Sequence, residues 1–196
     1  GEVDGSNSLL GNTNLGGVAL IPYAYSSDSF ILAEPLSSFS TVGLVKYNEG
    51  AFSSITGQTF SNSTGSDITI TPTSITDILN TGSNVVLQAN NDIFANADVI
   101  VSAGGFGGDF TLMAGRSIFL NGNITTDNGN FTAFANLGAS DGVVVAERDA
   151  GIGEVTVAAG KVINMGTGAL NLSGQNITLK NSSTIDGAGA ISLSGG

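Results

Sequence analysis

The segment NVVLQANNDIF (84–94) sets a pattern that recurs toward the C-terminus with a period of about 23 residues. It places apolar residues at alternate positions, then a small residue, a polar turn and a second apolar pair. The later copies are DFTLMAGRSIF (109–119), NFTAFANLGAS (130–140), EVTVAAGKVIN (154–164) and NITLKNSSTID (176–186). A unit this short cannot enclose a hydrophobic core of its own, so each copy must stack on its neighbours. The chain is therefore predicted to be a solenoid.

Alignment of the five copies predicts three columns of equivalent residues. The first, with steps of 25, 21, 24 and 22 residues, contains Leu87, Leu112, Ala133, Val157 and Leu179. The second contains Ala89, Ala114, Ala135, Ala159 and Asn181. The third contains Ile93, Ile118, Ile163 and Ile185, with Ala139 nearest to it in the third copy. Residues that share a column are expected to lie above one another along the solenoid axis.

The apolar runs are short and alternate with polar residues, as in Phe110–Leu112 and Val155–Val157, which indicates strands with one buried face. Gly, Asn, Asp and Ser separate these runs, and only Ser74–Leu79 offers a helix, of one turn at most. A sandwich or barrel of hairpins would suit the Asn-Gly pairs at 121–122 and 128–129. Repetition of one residue type at the same point of each copy favours a parallel β-helix instead.

The predicted fold class is therefore all-β, a right-handed parallel β-helix (β-solenoid) with coils of about 21–25 residues. Residues 67–196 are expected to form regular coils and to be a segment of a longer shaft. Residues 1–66 hold most of the aromatic residues, and their columns cannot be aligned. They are expected to form degenerate coils over 39–60, with a loop or flap excursion over 23–35.

Composition restricts the function. The chain has 196 residues with no Cys, His or Trp, so neither a disulfide nor imidazole chemistry is available. The net charge of −11 argues against nucleic acid and anionic membranes as partners. No apolar run approaches ~18 residues, which excludes membrane insertion through a helix. The N-terminus, GEVDGSNSLL, lacks the basic and apolar regions of a signal peptide.

Candidate sites are few. GGFGGDFTL (104–112) nearly matches a calcium-binding nonapeptide, but Thr111 replaces the aliphatic residue and no tandem copy exists. The densest charge cluster, in 138–154, reads either as a solvated corner loop or as a ligand or cation contact; its members are Asp141, Glu147, Arg148, Asp149 and Glu154. Glycosylation sequons begin at Asn62, Asn123, Asn130, Asn171, Asn176 and Asn181.

An enzyme of the polysaccharide lyase or glycoside hydrolase type would need paired carboxylates, with basic side chains beside them. The five basic residues appear spaced at about one per coil rather than clustered: Lys46, Arg116, Arg148, Lys161 and Lys180. No phosphate-binding loop and no nucleophile–base pair can be identified. We therefore predict no catalytic residues, no metal site and no cofactor.

Three segments resemble repeats of filamentous haemagglutinin-like exoproteins. They are SNVVLQANNDIF (83–94), GGDFTLMAGRSIFLNGNITTDNGNFT (107–132) and VTVAAGKVINMGTGALNLSGQNITL (155–179). These are large adhesins of bacterial two-partner secretion. The resemblance covers about residues 67–196 and implies secretion to the bacterial cell surface and a right-handed β-helical fibre. It also implies an outer-membrane secretion partner. The secretion domain of the family is not recognisable here.

Three functions follow from this sequence. The first is a structural or adhesive shaft segment of a secreted cell-surface fibre, without catalysis, that contacts neighbouring segments of the fibre and a host or cell-surface glycan or protein. The second is a carbohydrate-acting β-helical enzyme, and the third is a calcium-binding repeat module. Because GAISLSGG (189–196) retains the repeat pattern, we also expect the shaft to continue beyond Gly196 and the isolated chain to stack end to end.

Overall fold

A computed structural model describes residues 59–61 and 67–196, together with the backbone of two short strands further upstream. These two strands, β1 (Ala19–Leu20) and β2 (Leu32–Ala33), pair antiparallel, with Ala19 opposite Ala33. The expectations for residues 1–66, both the degenerate coils and the excursion over 23–35, otherwise fall outside the described residues.

Thirteen further strands follow along the chain, in four groups of three and a final single strand. They are β3 (Val85–Ala89), β4 (Ile93–Ala95), β5 (Val99–Ile100), β6 (Phe110–Ala114), β7 (Ile118–Leu120), β8 (Ile124–Thr125), β9 (Phe131–Phe134), β10 (Glu154–Val157), β11 (Val162–Gly166), β12 (Leu170–Gly174), β13 (Asn176–Leu179), β14 (Thr184–Gly187) and β15 (Ile191–Gly195).

Every third strand joins the same sheet. The first sheet has the order β3-β6-β9-β12-β15, the second β4-β7-β10-β13 and the third β5-β8-β11-β14, and every pair in them is parallel. Successive strands therefore wind around a common axis, and each coil contributes one strand to each sheet. The predicted parallel β-helix is confirmed. The right hand of its winding stays a prediction from the general preference of parallel crossovers.

The core is a set of aliphatic and aromatic columns inside the three sheets. In the first sheet Phe110 and Phe131 are directly paired, fully buried, and their ring centroids lie 5.6 Å apart. Leu87, Leu112 and Ala133 form the neighbouring column of the same sheet, as predicted. Burial of one such side chain stabilises the fold by about 1.5–3 kcal/mol, so each added coil contributes several of these increments.

The predicted register is wrong after Ala133. Val157 and Leu179 stack on Leu120 in the second sheet, whereas the column of Ala133 continues with Leu172 and Leu193. The cause is the third coil. Equivalent positions are 25 and 21 residues apart in the first two steps, 39 in the next and 21 in the last. The coil length of about 21–25 residues holds everywhere except in this coil, which carries an insertion.

The other two predicted columns break at the same place. Ala89 stacks on Ala114 and Ile93 on Ile118, as expected. Ile163 and Ile185 instead belong to the third sheet, above Ile124. Three more residues lie outside the strands and carry no core position: Ala139, Ala159 and Asn181.

A helix closes the interior of the first coil. The segment Ser74–Leu79 was expected to form one turn at most, but α1 spans Pro72–Leu79. The side chain of Thr71 caps it by accepting from the backbone N–H of Ser74, and Pro72 begins it, which is a favourable start for a helix. Its apolar face buries Ile75 and Leu79 against the core, so tertiary packing stabilises a helix too short to persist alone. No helix in residues 59–61 and 67–196 has the length and apolar composition needed to cross a membrane.

Polar side chains of the first coil accept hydrogen bonds from the backbone of the second coil at all three corners. Before the first sheet, Asn84 Oδ1 accepts from Asp109 N, and Asp109 Oδ1 accepts from Asn130 N, both at 2.8 Å. Before the second sheet Asp92 accepts from Ser117 N, and before the third sheet Asp98 accepts from Asn123 N. In each case the side chain belongs to one coil and the N–H to the next. These bonds satisfy backbone donors at corners, where the ladder of the sheets is interrupted.

Candidate functional site

The insertion of the third coil is the largest departure from the repeat, and it brings the charge cluster onto the side of the solenoid. We define the insertion loop as residues 136–153, between β9 of the first sheet and β10 of the second. It contains two short 3-10 turns, Ala139–Asp141 and Val145–Glu147. Asn136, with φ 61°, and Gly142, with φ 97°, adopt the left-handed conformation that reverses the chain.

The insertion loop folds back over the first coil and is held there by two asparagines. Asn90 Oδ1 accepts from Val144 N at 2.9 Å, and its Nδ2 donates to the carbonyl oxygen of Phe60 at 2.8 Å. Asn91 Nδ2 donates to the carbonyl oxygen of Glu147 at 2.8 Å, and its Oδ1 accepts from Asp149 N at 2.6 Å. Both side-chain amides therefore hydrogen-bond to the backbone of a segment more than 50 residues away in sequence.

Arg148 fastens the insertion loop to the second coil. Its Nε donates to the carbonyl oxygen of Gly115 at 2.6 Å, and its Nη2 donates to Asn136 Oδ1 at 3.0 Å. Further bonds from the guanidinium reach the carbonyl oxygens of Asp149 and Gly151, each at 3.2 Å. With its donors directed to main-chain and amide oxygens, this guanidinium stabilises the path of the loop.

An ion pair lies beneath the loop. Arg116 makes a two-point contact with Asp92, Nε to Oδ1 at 2.9 Å and Nη2 to Oδ2 at 2.6 Å, and its Nη1 lies 3.4 Å from Asp149 Oδ2. The hydrogen bond from Arg116 lowers the pKa of the Asp92 carboxyl, with the backbone N–H of Ser117 acting in the same direction. The same contact raises the pKa of the Arg116 guanidinium. Both groups are therefore held in their charged forms.

Two of the basic residues converge at this corner, although the sequence suggested one per coil. Arg148 donates to Gly115, the residue directly before Arg116, because the insertion loop returns to an earlier coil. Lys161 and Lys180 lie elsewhere, in the coils that follow, and Lys46 is outside the described residues. Of the predicted cluster, Arg148 and Asp149 make internal contacts, Asp141 Oδ2 accepts from Gly138 N, and Glu154 accepts from Thr156. A ligand contact at the cluster stays a prediction.

The exposed surface of the insertion loop is mixed in character. Val145 and Ile152 present apolar side chains to solvent, and Asp149 is also exposed. Val143 is buried beneath them, and Phe60 is buried next to Gly142. The loop is thus an anchored surface element with an apolar and acidic outer side.

Residues 104–112, the segment that nearly matches a calcium-binding nonapeptide, contribute to the contacts between coils. Asp109 is one of the corner residues that cap the next coil, and Thr111 projects outward between the buried Phe110 and Leu112. A Cβ on Gly107 would overlap the carbonyl oxygen of Thr126, so close contact between coils requires glycine there. Within the described part of the chain, no three acidic side chains come together in an arrangement that would hold a metal ion.

The sequons divide into two groups. Asn123 Oδ1 accepts from Val162 N and Asn130 Oδ1 accepts from Ala169 N, so both side chains take part in corner capping. Asn176 and Asn181 are exposed, and Asn171 is half-buried on β12. The sequon at Asn62 is outside the described residues.

A pair of outward-facing aromatic rings was missed in the sequence. Phe94 and Phe119 lie next to each other in the second sheet and stack with centroids 4.9 Å apart and planes inclined by 13°. The signal was present, because each follows the Ile of the third predicted column. Phe94 is exposed and Phe119 is half-buried, so the stacked pair adds an apolar strip to the outer surface of the first two coils.

Comparison of the chain with protein-family models, with curated proteins and with solved structures finds no match. The resemblance to filamentous haemagglutinin-like repeats therefore rests on the sequence pattern alone. The functional argument for this chain depends on the geometry of the solenoid, its insertion loop and its charged residues.

Proposed function

We propose that this chain is a structural and adhesive shaft segment of a secreted bacterial cell-surface fibre. The solenoid supplies length and rigidity, and the insertion loop supplies the contact surface for a host or cell-surface glycan or protein. Neighbouring segments of the fibre and an outer-membrane secretion partner are part of this proposal, on the basis of the sequence resemblance.

The observation that supports it best is the repetition of the same corner bonds from coil to coil. The series Asn84, Asp109 and Asn130 continues to the backbone N–H of Ala169, at 2.8 Å in each step. Together with the parallel ladders of three sheets, it joins each coil to the next through the whole cross-section. A fold whose polar side chains are used to connect coils is suited to bearing load along its axis.

The distribution of charge favours this function over the carbohydrate-acting enzyme. A glycoside-cleaving site needs two carboxyl groups facing a groove, one of them available as a proton donor. At the richest charge cluster of the described residues, the Asp92 carboxylate accepts from Arg116 and Ser117, and Arg148 is bonded to main-chain oxygens. These groups hold the loop in place, and lowering of the Asp92 pKa opposes a role as an acid.

The insertion loop is the best candidate for the adhesive surface. In repeat proteins, insertions within a repeat map to loops on one face, which is often the binding face. Here the loop is anchored at both Asn90 and Asn91, so it presents Val145 and Ile152 on a fixed backbone. Such preorganisation reduces the entropic cost of binding.

The adhesive part can be tested by coating beads with the chain and measuring their retention under flow on immobilised glycans and on cultured cells. A variant with Val145→Ser and Ile152→Ser removes the apolar side of the loop without touching its anchors. A variant with Ile100→Ser, an exposed position on the third sheet, is the matched control. We expect retention of wild-type and control beads, and at least a several-fold loss for the double variant.

Three outcomes would contradict the proposal. Retention no greater than that of uncoated beads on every surface would remove the adhesive function. Release of reducing ends from pectin-like, glucan or sialylated substrates, above the level of a heat-inactivated sample, would favour the enzyme. A large fall in the melting temperature with chelator would favour the calcium-binding module.

A further inference from the structure

A short segment upstream of α1 is buried on the outer side of the first sheet. Phe60 is 3% exposed, but it does not belong to the cluster of buried side chains inside the three sheets. The insertion loop lies against its ring, because a Cβ added at Gly142 would come within 3.5 Å of Phe60 Cδ2. Val143, the next residue of the loop, is also buried outside that cluster. Phe60 is therefore buried by a part of the chain that is remote from it in sequence.

Two side-chain amides hold both main-chain groups of Phe60. Gln88 Oε1 accepts from Phe60 N at 3.2 Å, and Asn90 Nδ2 donates to the Phe60 carbonyl oxygen at 2.8 Å. Gln88 Nε2 also donates to Met113 Sδ at 3.4 Å, which orients the amide so that its oxygen faces Phe60. Because these bonds reach the backbone of the bound residue, they hold an extended segment whatever its side chains are.

The insertion loop is held by the same amide that holds the segment. Asn90 Oδ1 accepts from Val144 N at 2.9 Å while its Nδ2 donates to the Phe60 carbonyl oxygen, so one side chain joins the loop and the segment. Bonds to the main chain, together with an enclosed space for one large side chain, are the two elements by which proteins recognise an extended peptide. Both elements are present here, on the outside of a core that is complete without Phe60.

We propose that this enclosure is a binding site for an extended peptide that carries one aromatic side chain, and that residues 59–61 occupy it in cis. We call it the aromatic pocket and define it by Gln88, Asn90, Gly142 and Val143. The pocket recognises the peptide backbone through the two amides and the aromatic ring through the space beside the insertion loop. The proposal does not rest on the adhesive function of the chain.

Charge selects among aromatic peptides. Gln88 and Asn90 are neutral, and the sequence around the bound residue, GQTFSNS (57–63), contains no charged side chain. The chain has a net charge of −11, and the insertion loop beside the pocket carries the acidic residues Asp141, Glu147 and Asp149. Like-charge repulsion therefore disfavours acidic peptides, and the ligand class is a neutral or basic peptide with an aromatic residue.

The segment in cis competes with any external peptide. Residues 62–70 connect it to Thr71, the N-cap of α1. A connection this short gives the tethered segment an effective concentration on the order of millimolar. An external peptide should therefore bind weakly to the wild type, and removal of the Phe60 ring should make the pocket accessible to it.

The test is calorimetric titration of the full 196-residue chain with the synthetic peptide GQTFSNS and with its Phe60→Ala counterpart. The Phe60→Ala chain should bind GQTFSNS at least tenfold more tightly than the wild-type chain does, and at least tenfold more tightly than it binds the alanine peptide. Adding Gln88→Ala to this chain should weaken binding at least fivefold.

The matched control is Ser173→Ala in the same Phe60→Ala chain, because Ser173 lies in the same outward row of the first sheet as Gln88, in a later coil. It should leave the affinity for GQTFSNS unchanged. Circular dichroism shows whether each variant is folded.

A folded Phe60→Ala chain that binds neither peptide, or that binds both equally, would overturn the proposal. So would equal affinities of the wild-type and Phe60→Ala chains for GQTFSNS, or an equal loss from Ser173→Ala and Gln88→Ala.

A second measurement leaves the Phe60 ring in place. Hydrogen exchange of the Phe60 amide should be at least fivefold faster in the single variant Gln88→Ala than in the wild type, with no change in 131–134. A wild-type Phe60 amide that exchanges as fast as that of the free peptide would overturn the proposal. The bead-retention assay substitutes Val145 and Ile152, which are not part of the aromatic pocket, so the two proposals fail independently.

Discussion

The first and last coils of the described solenoid, called here its N-terminal and C-terminal ends, differ in how completely their interiors are covered. At the N-terminal end, α1 covers the interior with Ile75 and Leu79, and the insertion loop braces the first two coils from the side. At the C-terminal end, β13, β14 and β15 leave aliphatic side chains half exposed. A helix satisfies its own backbone, so it can cover a β-helix interior without creating another strand edge. Within this 196-residue chain, equivalent substitutions should therefore cost more in the first coils than in the last.

The largest expected difference in stability is between two variants that carry the same substitution at different positions of one column. Leu112 and Leu193 share a column of the first sheet, but Leu112 is fully buried and Leu193 is half exposed. Leu112→Asp buries a charge in the middle of the stack and should lower the free energy of unfolding by about 4 kcal/mol or more. Leu193→Asp should cost about 1 kcal/mol or less, because its carboxylate stays in water.

Urea denaturation of the two variants measures both values. Equal losses for Leu112→Asp and Leu193→Asp would show that the last coil is as well packed as the second. That result would contradict the difference between the ends.

A second contrast compares the covering helix with the open end. Leu79→Ala removes a fully buried side chain of α1 and should lower the free energy of unfolding by about 2–5 kcal/mol. Leu179→Ala, at a position 45% exposed in β13, should cost about 1 kcal/mol. Calorimetric melting curves of the two variants provide the measurement. If Leu79→Ala is the milder change, α1 does not stabilise the first coil.

A third prediction concerns the pH dependence of stability that comes from the Asp92–Arg116 ion pair beneath the insertion loop. The Arg116 guanidinium lowers the pKa of the Asp92 carboxyl, so the folded state binds this proton less readily than the unfolded state. The stabilisation is therefore fully present above the unfolded pKa, about 3.9, and is lost as the pH falls through the lower folded value. At neutral pH, Asp92→Asn should cost about 1–2 kcal/mol, since it removes charge-assisted bonds at a half-buried site.

The denaturation midpoints of the wild type and Asp92→Asn should differ at pH 7 and should approach each other as the pH falls to 3. The control is Asp186→Asn in the last coil, where Asp186 accepts only a 3.3 Å bond from Asn164 in the described contacts. It should differ little from the wild type at any pH. A gap between wild type and Asp92→Asn that persists unchanged at pH 3 would contradict the assigned role of the ion pair.

The smallest effect is expected at the outer side of the insertion loop. Asp141 is exposed and caps a single 3-10 turn by accepting from Gly138 N. Asp141→Ala should change the free energy of unfolding by about 0.5 kcal/mol or less. A loss as large as that of Leu79→Ala would mean that Asp141 stabilises the fold far beyond the cap of this turn, and chemical denaturation measures the difference.

The sequence was sufficient for the fold class but not for the register throughout. Leu87, Leu112 and Ala133 were aligned correctly because coils of similar length connect them. Val157 was assigned to their column because strands of different sheets carry the same alternation, and the pattern does not record which sheet a strand joins. An insertion of uncertain length is enough to move a strand from one sheet to the next.

The contacts of the loop could not have been predicted in this way. Arg148 and Arg116 are 32 residues apart in sequence, and they meet because the insertion loop turns back to an earlier coil. Asn84, Asp109 and Asn130 are the first residues of their copies in the sequence, but the pattern assigned them no bonding role between coils. Their bonds to the next coil depend on the vertical distance between coils, which a single sequence does not contain.

The corner bonds give the fold a direction. In most of them the acceptor is a side chain of the earlier coil and the donor is a backbone N–H of the later one. Asp127 is an exception, since it accepts from Ala103 N and Gly105 N of the coil before it. A folded coil therefore presents side-chain acceptors to the backbone N–H groups of the next coil. If the later coil detaches, the released side chain turns into water at little cost. The corner bonds therefore make the backbone of a later coil depend on side chains of the coil before it.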